Sequence, residues 1–132
     1  MSDLRFTKTH EWVRQGQDHC FTVGMTEHVL ITLGDLVSLQ LPQPGQECRS
    51  GEEVAAVESA KIAVGVSAPF DGVILAINEV ACDTPTRLNN HPLEEWIFKI
   101  RPRNPADFDT LLSADAYQQL LTTICSTRDV SS

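Results

Sequence analysis

Residues 54–69 read Val54-Ala55-Ala56-Val57-Glu58-Ser59-Ala60-Lys61-Ile62-Ala63-Val64-Gly65-Val66-Ser67-Ala68-Pro69. Two runs rich in valine and alanine flank a short break at residues 59–61. Each run has the length and the β-branched content of a strand. The stretch therefore predicts two short β arms joined by a tight turn. A lysine at such a tip sends its long stem into water, where a modifying enzyme can reach the amine. Acylation there makes an amide and removes one positive charge. A single lysine beside a strand is more often ordinary surface charge, so spacing alone leaves both readings open.

Upstream, residues 6–13 predict a strand anchored by Phe6, Trp12 and Val13. Gln15-Gly16-Gln17-Asp18 reads as a turn, and residues 19–23 as a second strand ended by Gly24. Thr26 is a candidate N-cap for a short helix. Val29, Leu30 and Leu33 follow at helical spacing, and Gly34 stands where a C-terminal glycine cap would be. Residues 36–41 are extended, and Pro42-Gln43-Pro44-Gly45 and Gly51-Glu52-Glu53 are turns. Downstream, Phe70-Asp71-Gly72 turns into a strand over 73–77. A polar loop covers 78–90, and a strand over 95–100 closes the β portion. Residues 106–112 and 114–124 read as helical. Ser113 caps the second piece, and Leu120 and Leu121 form its buried face. Residues 125–132 are expected to fray. Many short strands between Gly and Pro turns, with little helix before the end, argue for a mainly β barrel or sandwich with short helices and a C-terminal helical segment. No linker interrupts the chain, so residues 1–132 are expected to form one domain.

The chain has 132 residues, 42% hydrophobic and 21% charged, enough for a single core. Its net charge of -8, with no basic patch denser than Arg101 and Arg103, argues against nucleic acid as a partner. The start, Met1-Ser2-Asp3-Leu4-Arg5-Phe6, has no secretory pattern, and the longest apolar runs are too short to span a bilayer. A cytoplasmic, membrane-free monomer is expected. The four cysteines, at 20, 48, 82 and 125, form no CxxC and read as reduced thiols, with sulfur or redox chemistry as the lesser reading. The four histidines give no metal-ligand spacing. His10 and Glu11 are adjacent and could form an acid/base couple, but neighbours on a strand face opposite ways. No nucleophile elbow and no phosphate-cradling glycine loop is present. No set of side chains assembles an active site, so chemistry would come from an attached cofactor and a partner.

A series of short motifs then falls in order along the chain. They are residues 4–13 with Thr9-His10-Glu11-Trp12; Thr22-Val23-Gly24-Met25-Thr26-Glu27-His28; Leu33-Gly34-Asp35-Leu36-Val37; Pro44-Gly45; Val57-Glu58-Ser59-Ala60-Lys61; Leu88-Asn89; Trp96-Ile97-Phe98-Lys99-Ile100; and Asp115-Ala116-Tyr117. Over roughly residues 4–121 the chain resembles the H protein of the glycine cleavage system, a lipoyl carrier. The resemblance implies a hybrid barrel-sandwich of two small antiparallel sheets. It implies lipoate attached to Lys61 at a hairpin tip, with Glu58 and Ser59 as the context read by a lipoate-attaching enzyme. It implies partners: glycine decarboxylase, which loads an aminomethyl group; aminomethyltransferase, which receives it; and dihydrolipoamide dehydrogenase, which reoxidises the dithiol. Glu11, His28 and Thr9 would lie near a cleft that shelters the loaded arm. The chain would carry chemistry without an active site of its own.

The pattern departs from that family at three places. Pro92-Leu93-Glu94-Glu95-Trp96 replaces a glycine-containing turn, Ile62-Ala63-Val64 follows the lysine, and Val29-Leu30-Ile31-Thr32 is unusually apolar. A related branch of H-like proteins serves bacterial sulfur oxidation beside a heterodisulfide-reductase-like complex. The altered flanks and the cysteines make sulfur carriage the first expectation, by thiol–disulfide exchange, and aminomethyl carriage the second. A non-lipoylated β-barrel interaction module is the reading from another class. Biotin carriers resemble this fold but flank their lysine with methionines, where this chain has Ala60 and Ile62.

Overall fold

A computed structural model describes residues 4–131, with side chains through Thr122. The expected first strand is two strands. β1 (Leu4–Phe6) and β2 (Glu11–Gln15) pair antiparallel, with Phe6 opposite Trp12. Residues 7–10 turn the chain without glycine or proline, and His10 takes a left-handed φ of 71°. The next strand also starts later than expected. Asp18 and His19 adopt left-handed φ values of 55° and 57° in a 3₁₀ turn, and β3 runs Phe21–Met25. Gly24 lies inside β3, not at its end. It sits opposite Trp12, and a Cβ there would lie 2.4 Å from the indole. The missing side chain makes room for a fully buried tryptophan, whose Nε1 donates to the Pro92 carbonyl at 2.7 Å.

The helix expected after Thr26 is α1 (Glu27–Leu33), closed by Gly34 at φ 81°. Thr26 stands at the N-cap, but its hydroxyl bonds to Tyr117 instead of capping a helix amide. β4 (Leu36–Gln40), β5 (Glu47–Cys48), β6 (Glu53–Ser59), β7 (Ala63–Ser67) and β8 (Gly72–Ile77) follow. The expected polar loop over 78–90 contains two short helices, α2 (Glu79–Asp83) and α3 (Thr86–Asn90). Asn78 nucleates α2 by accepting from the Ala81 amide, and burial of Ala81 and Leu88 fixes both turns to the core. The closing strand is shifted to β9 (Phe98–Pro102). Residues 105–110 form a 3₁₀ turn, and Leu112 then bridges Phe6, so no α-helix covers 106–112. Ser113 caps the amide of Ala116, and α4 runs Ala114–Ser131, past the expected end at Ile124.

The strands form two antiparallel sheets. One has six strands in the order β1-β2-β3-β9-β8-β5, and the other has three in the order β4-β6-β7. This mainly β, two-sheet architecture is the one expected, with sheets of unequal size. Their inner faces meet in one core: Phe21, Val23, Ile74 and Phe98 from the larger sheet, and Leu39, Val57 and Val66 from the smaller. A second cluster of Phe6, Trp12 and Tyr117 docks α4, with Leu120 and Leu121 packed against it.

Candidate functional site

The expected hairpin is β6 and β7, with Val57 opposite Val64 and Glu58 opposite Ala63. β6 also pairs with β4, so the hairpin is anchored on one side, while β7 forms the edge of its sheet. Ser59 organises the tip. Its side chain is buried, and its Oγ accepts from the amides of Lys61 and Ile62 at 3.3 and 3.4 Å. Its own amide donates to the Ile62 carbonyl at 2.9 Å. Ser59 lies opposite Leu36, whose amide is held by Asn89 Oδ1 at 2.9 Å; Asn89 Nδ2 donates back to the Gly34 carbonyl at 2.8 Å. The base of the turn is thus held by hydrogen bonds on both strands, while Lys61 is exposed. Among the described residues no hydrogen bond or ion pair holds its ammonium. An unpaired amine on a fixed exposed tip is what a covalent acyl cofactor needs. Glu58 is half-buried beside it, between Ser38 and Ala63.

Glu11 lies at the opposite end of β7. It is fully buried, and its Oε1 accepts from the hydroxyls of Thr7 and Thr9, both at 2.5 Å. Oε2 accepts from the Ser67 amide at 3.3 Å. Burial pushes the Glu11 carboxyl above its ordinary value, and these three hydrogen bonds oppose the shift. Thr9, Glu11 and Ser67 line a cleft of about 380 Å³ with Phe6, Pro69 and Leu112. His28 is outside that lining. Its ring stands 4.8 Å from His10, and His10 Nδ1 is 2.8 Å from the Tyr117 hydroxyl. Burial holds His10 below its usual range, and the neighbouring His28 adds to the effect. Burial likewise raises Tyr117, with the Glu11 charge adding and the Thr26 bond opposing.

Of the residues expected around a cleft, the structure therefore joins Thr9 and Glu11 and sets His28 apart, against His10. His10 and Glu11 do face different partners. Thr7, Ser67 and Tyr117 are not among the residues the sequence points to for the cleft, and His10 enters there only as a possible acid/base partner of Glu11. The alternation Thr7, Thr9, Glu11 was a readable signal for the first. Tyr117 joins from more than a hundred residues away and left none. Of the cysteines, Cys48 is poorly placed for sulfur chemistry, Cys20 is half-buried and Cys82 is exposed. Cys48 is buried, and burial raises its thiol above the ordinary range, which lowers the thiolate fraction that exchange requires.

A two-sheet sandwich of this kind is a fold of the lipoyl-domain type. Residues 4–124 match the family model described as glycine cleavage H-protein, and the chain belongs to that family. Members of the family carry lipoate covalently on a lysine. Among the relatives, glycine cleavage system H protein 2 of Pseudomonas aeruginosa is 43% identical over 117 residues, covering 89% of this chain and 91% of the relative. Glycine cleavage system H protein of Burkholderia ambifaria is 43% identical over 120 residues, covering 91% and 95%. The crystal structure of a glycine cleavage system H protein from Mycobacterium marinum superposes with a TM-score of 0.80 at 32% identity, covering 89% of this chain and 94% of that one. These relatives favour the aminomethyl reading over the sulfur reading that came first from the sequence. Among the described residues no helix is long and apolar enough to cross a membrane.

Proposed function

We propose that this chain is the lipoyl carrier of a glycine cleavage system, with lipoate on the Lys61 amine. The observation that carries the reading is Lys61 itself, exposed and unpaired on a tip that Ser59 fixes, in a chain of this family. Bound lipoate supplies a dithiol that takes the aminomethyl group from glycine decarboxylase, yields it to aminomethyltransferase and is reoxidised by dihydrolipoamide dehydrogenase. The chain's own residues present, orient and shelter. Ser59 and Glu58 shape the tip that a lipoate-attaching enzyme must recognise. Thr9 and Glu11 line the cleft that shelters the end of the arm, and the wall of that cleft mixes polar Thr7, Thr9 and Ser67 with apolar Phe6, Pro69 and Leu112. His28 stands outside that wall, its ring tilted against His10. The protein is a cofactor carrier without an active site of its own, acting in the cytoplasm as a monomer and as one domain.

The test is glycine–bicarbonate exchange with the host's glycine decarboxylase. Lipoylated wild-type chain should support exchange, and Lys61→Arg should support none. Equal exchange with Lys61→Arg would remove Lys61 from its role. A lipoylated chain inert with the decarboxylase, yet able to accept sulfur from a heterodisulfide-reductase-like complex, would restore the sulfur reading.

A further inference from the structure

Between Arg14 and Arg49 the chain has no lysine or arginine, and between Arg49 and Arg87 it has Lys61 alone. The fold gathers much of this cation-poor sequence at one end. Ser59, at the base of the tip, lies opposite Leu36, and Val37 follows at the irregularity in that strand pairing. Val37 is 61% exposed, and Ile62, next to Lys61, is 49% exposed. Just before β4, Asp35 joins Glu27 and Ile31 around a recess of about 390 Å³ between α1 and the segment that holds Asn89. Ile31 stands at its rim, 71% exposed. The acidic groups here are Glu27, Asp35 and Glu58. The nearest arginine in α3, Arg87, is neutralised by Glu95 at 2.8 Å. Arg49, Arg101 and Arg103 line a different cleft beside Gly72, at the other end of the β6–β7 hairpin.

Ile62 beside Lys61, Val37 on the strand opposite the base of the tip and Ile31 at the rim of the adjoining recess are large apolar side chains left in water, as on a surface that a partner covers. An acidic rim around them selects a covering surface that is apolar at its centre and basic at its edge. Acylation of Lys61 would remove a cation from the midst of these acidic groups and sharpen that complementarity. We propose that Ile31, Val37 and Ile62, within the rim of Glu27, Asp35 and Glu58, form the docking surface for the enzyme that loads the arm. Its active-site mouth is apolar and ringed by lysine and arginine. The proposal rests on the carrier reading above and adds the face and the chemistry of the partner.

The experiment uses full-length chain, with lipoylation of every variant confirmed by intact mass, and reads the KM of the carrier in glycine–bicarbonate exchange. Ile31→Asp and Ile62→Asp should each raise KM by about tenfold or more, as truncating an interface anchor does, with kcat within about twofold. Wild-type KM should rise with ionic strength, and the Glu27→Lys, Asp35→Lys double variant should raise KM and flatten that dependence. Arg101→Ala, at the far end, should match wild type. Unchanged KM in both aspartate variants, or an equal rise in Arg101→Ala, would overturn the docking surface while leaving the carrier role intact. Fully lipoylated wild type that supports no exchange would instead refute the carrier reading, and this proposal with it.

Discussion

At one end of β7 stands Lys61, with its amine in water and unpaired; at the other stands Ser67, with its amide bonded to the fully buried carboxylate of Glu11. The five residues of β7 hold them apart, roughly 13 Å from Ala63 to Ser67 at the rise of an extended strand. The two ends illustrate different uses of polar groups. The tip leaves its functional group free and devotes one serine hydroxyl to the backbone beneath it. The far end encloses its functional group and surrounds it with two hydroxyls and an amide. Modification of an amine requires access, and shelter of a labile group requires exclusion of water; in the proposed function the tip meets the first need, and Ser67 together with Thr7, Thr9 and Glu11 meets the second.

Deleting the buried end should cost most. Glu11→Ala leaves the hydroxyls of Thr7 and Thr9 and the Ser67 amide without their shared acceptor, at about 2–3 kcal/mol of unfolding free energy. Lys61→Ala should stay within about 0.5 kcal/mol, as for an exposed side chain. Urea denaturation of the two variants measures the contrast, and equal losses would break it.

The next effect is its pH dependence. The folded state raises the Glu11 pKa, so its contribution to stability is fully present below the ordinary value of 4.5 and is lost as pH rises through the folded value. Glu11→Gln cannot ionise. The stability of wild type relative to this variant should therefore fall as pH rises above about 4.5, read from urea midpoints across the series. A constant difference would mean that burial does not perturb the carboxyl.

Ser59→Ala should be milder, about 1 kcal/mol or less, because its two bonds to the tip amides are long. It should slow lipoylation of Lys61 in a ligase assay by loosening the turn. Unchanged lipoylation would show that the modifying enzyme reads the strands and not the tip. The smallest effect concerns His10, whose folded pKa is lowered. Its contribution is present above 6.5 and is lost as pH falls through the folded value. His10→Asn tolerates the left-handed backbone and should remove that acid sensitivity, visible as a flatter midpoint-versus-pH curve below 6.5.

The hairpin was legible because its signals are local: valine-rich arms, a serine at the break and a lysine after it. Gly34 was legible as a cap for the same reason. The split between β1 and β2 was hidden because residues 7–10 turn through a left-handed histidine, with no glycine or proline to announce it. α2 and α3 were hidden because five residues are too few to show a helical period. Gly24 looked like a strand end and is a seat for Trp12, a fact that depends on a partner strand. Thr9 and Glu11 come together in one cleft, whereas His28 packs against His10, which in turn bonds to Tyr117. That arrangement exists only once α4 has docked on the strands near the N-terminus.

The central claim is that Lys61 carries lipoate. The direct measurement is intact mass and peptide mapping of the protein purified, without reductant, from its own host during growth on glycine. A lipoyl group on Lys61, part of it bearing an aminomethyl adduct, is the predicted result. An unmodified Lys61 in a host that lipoylates its other carriers would contradict the account.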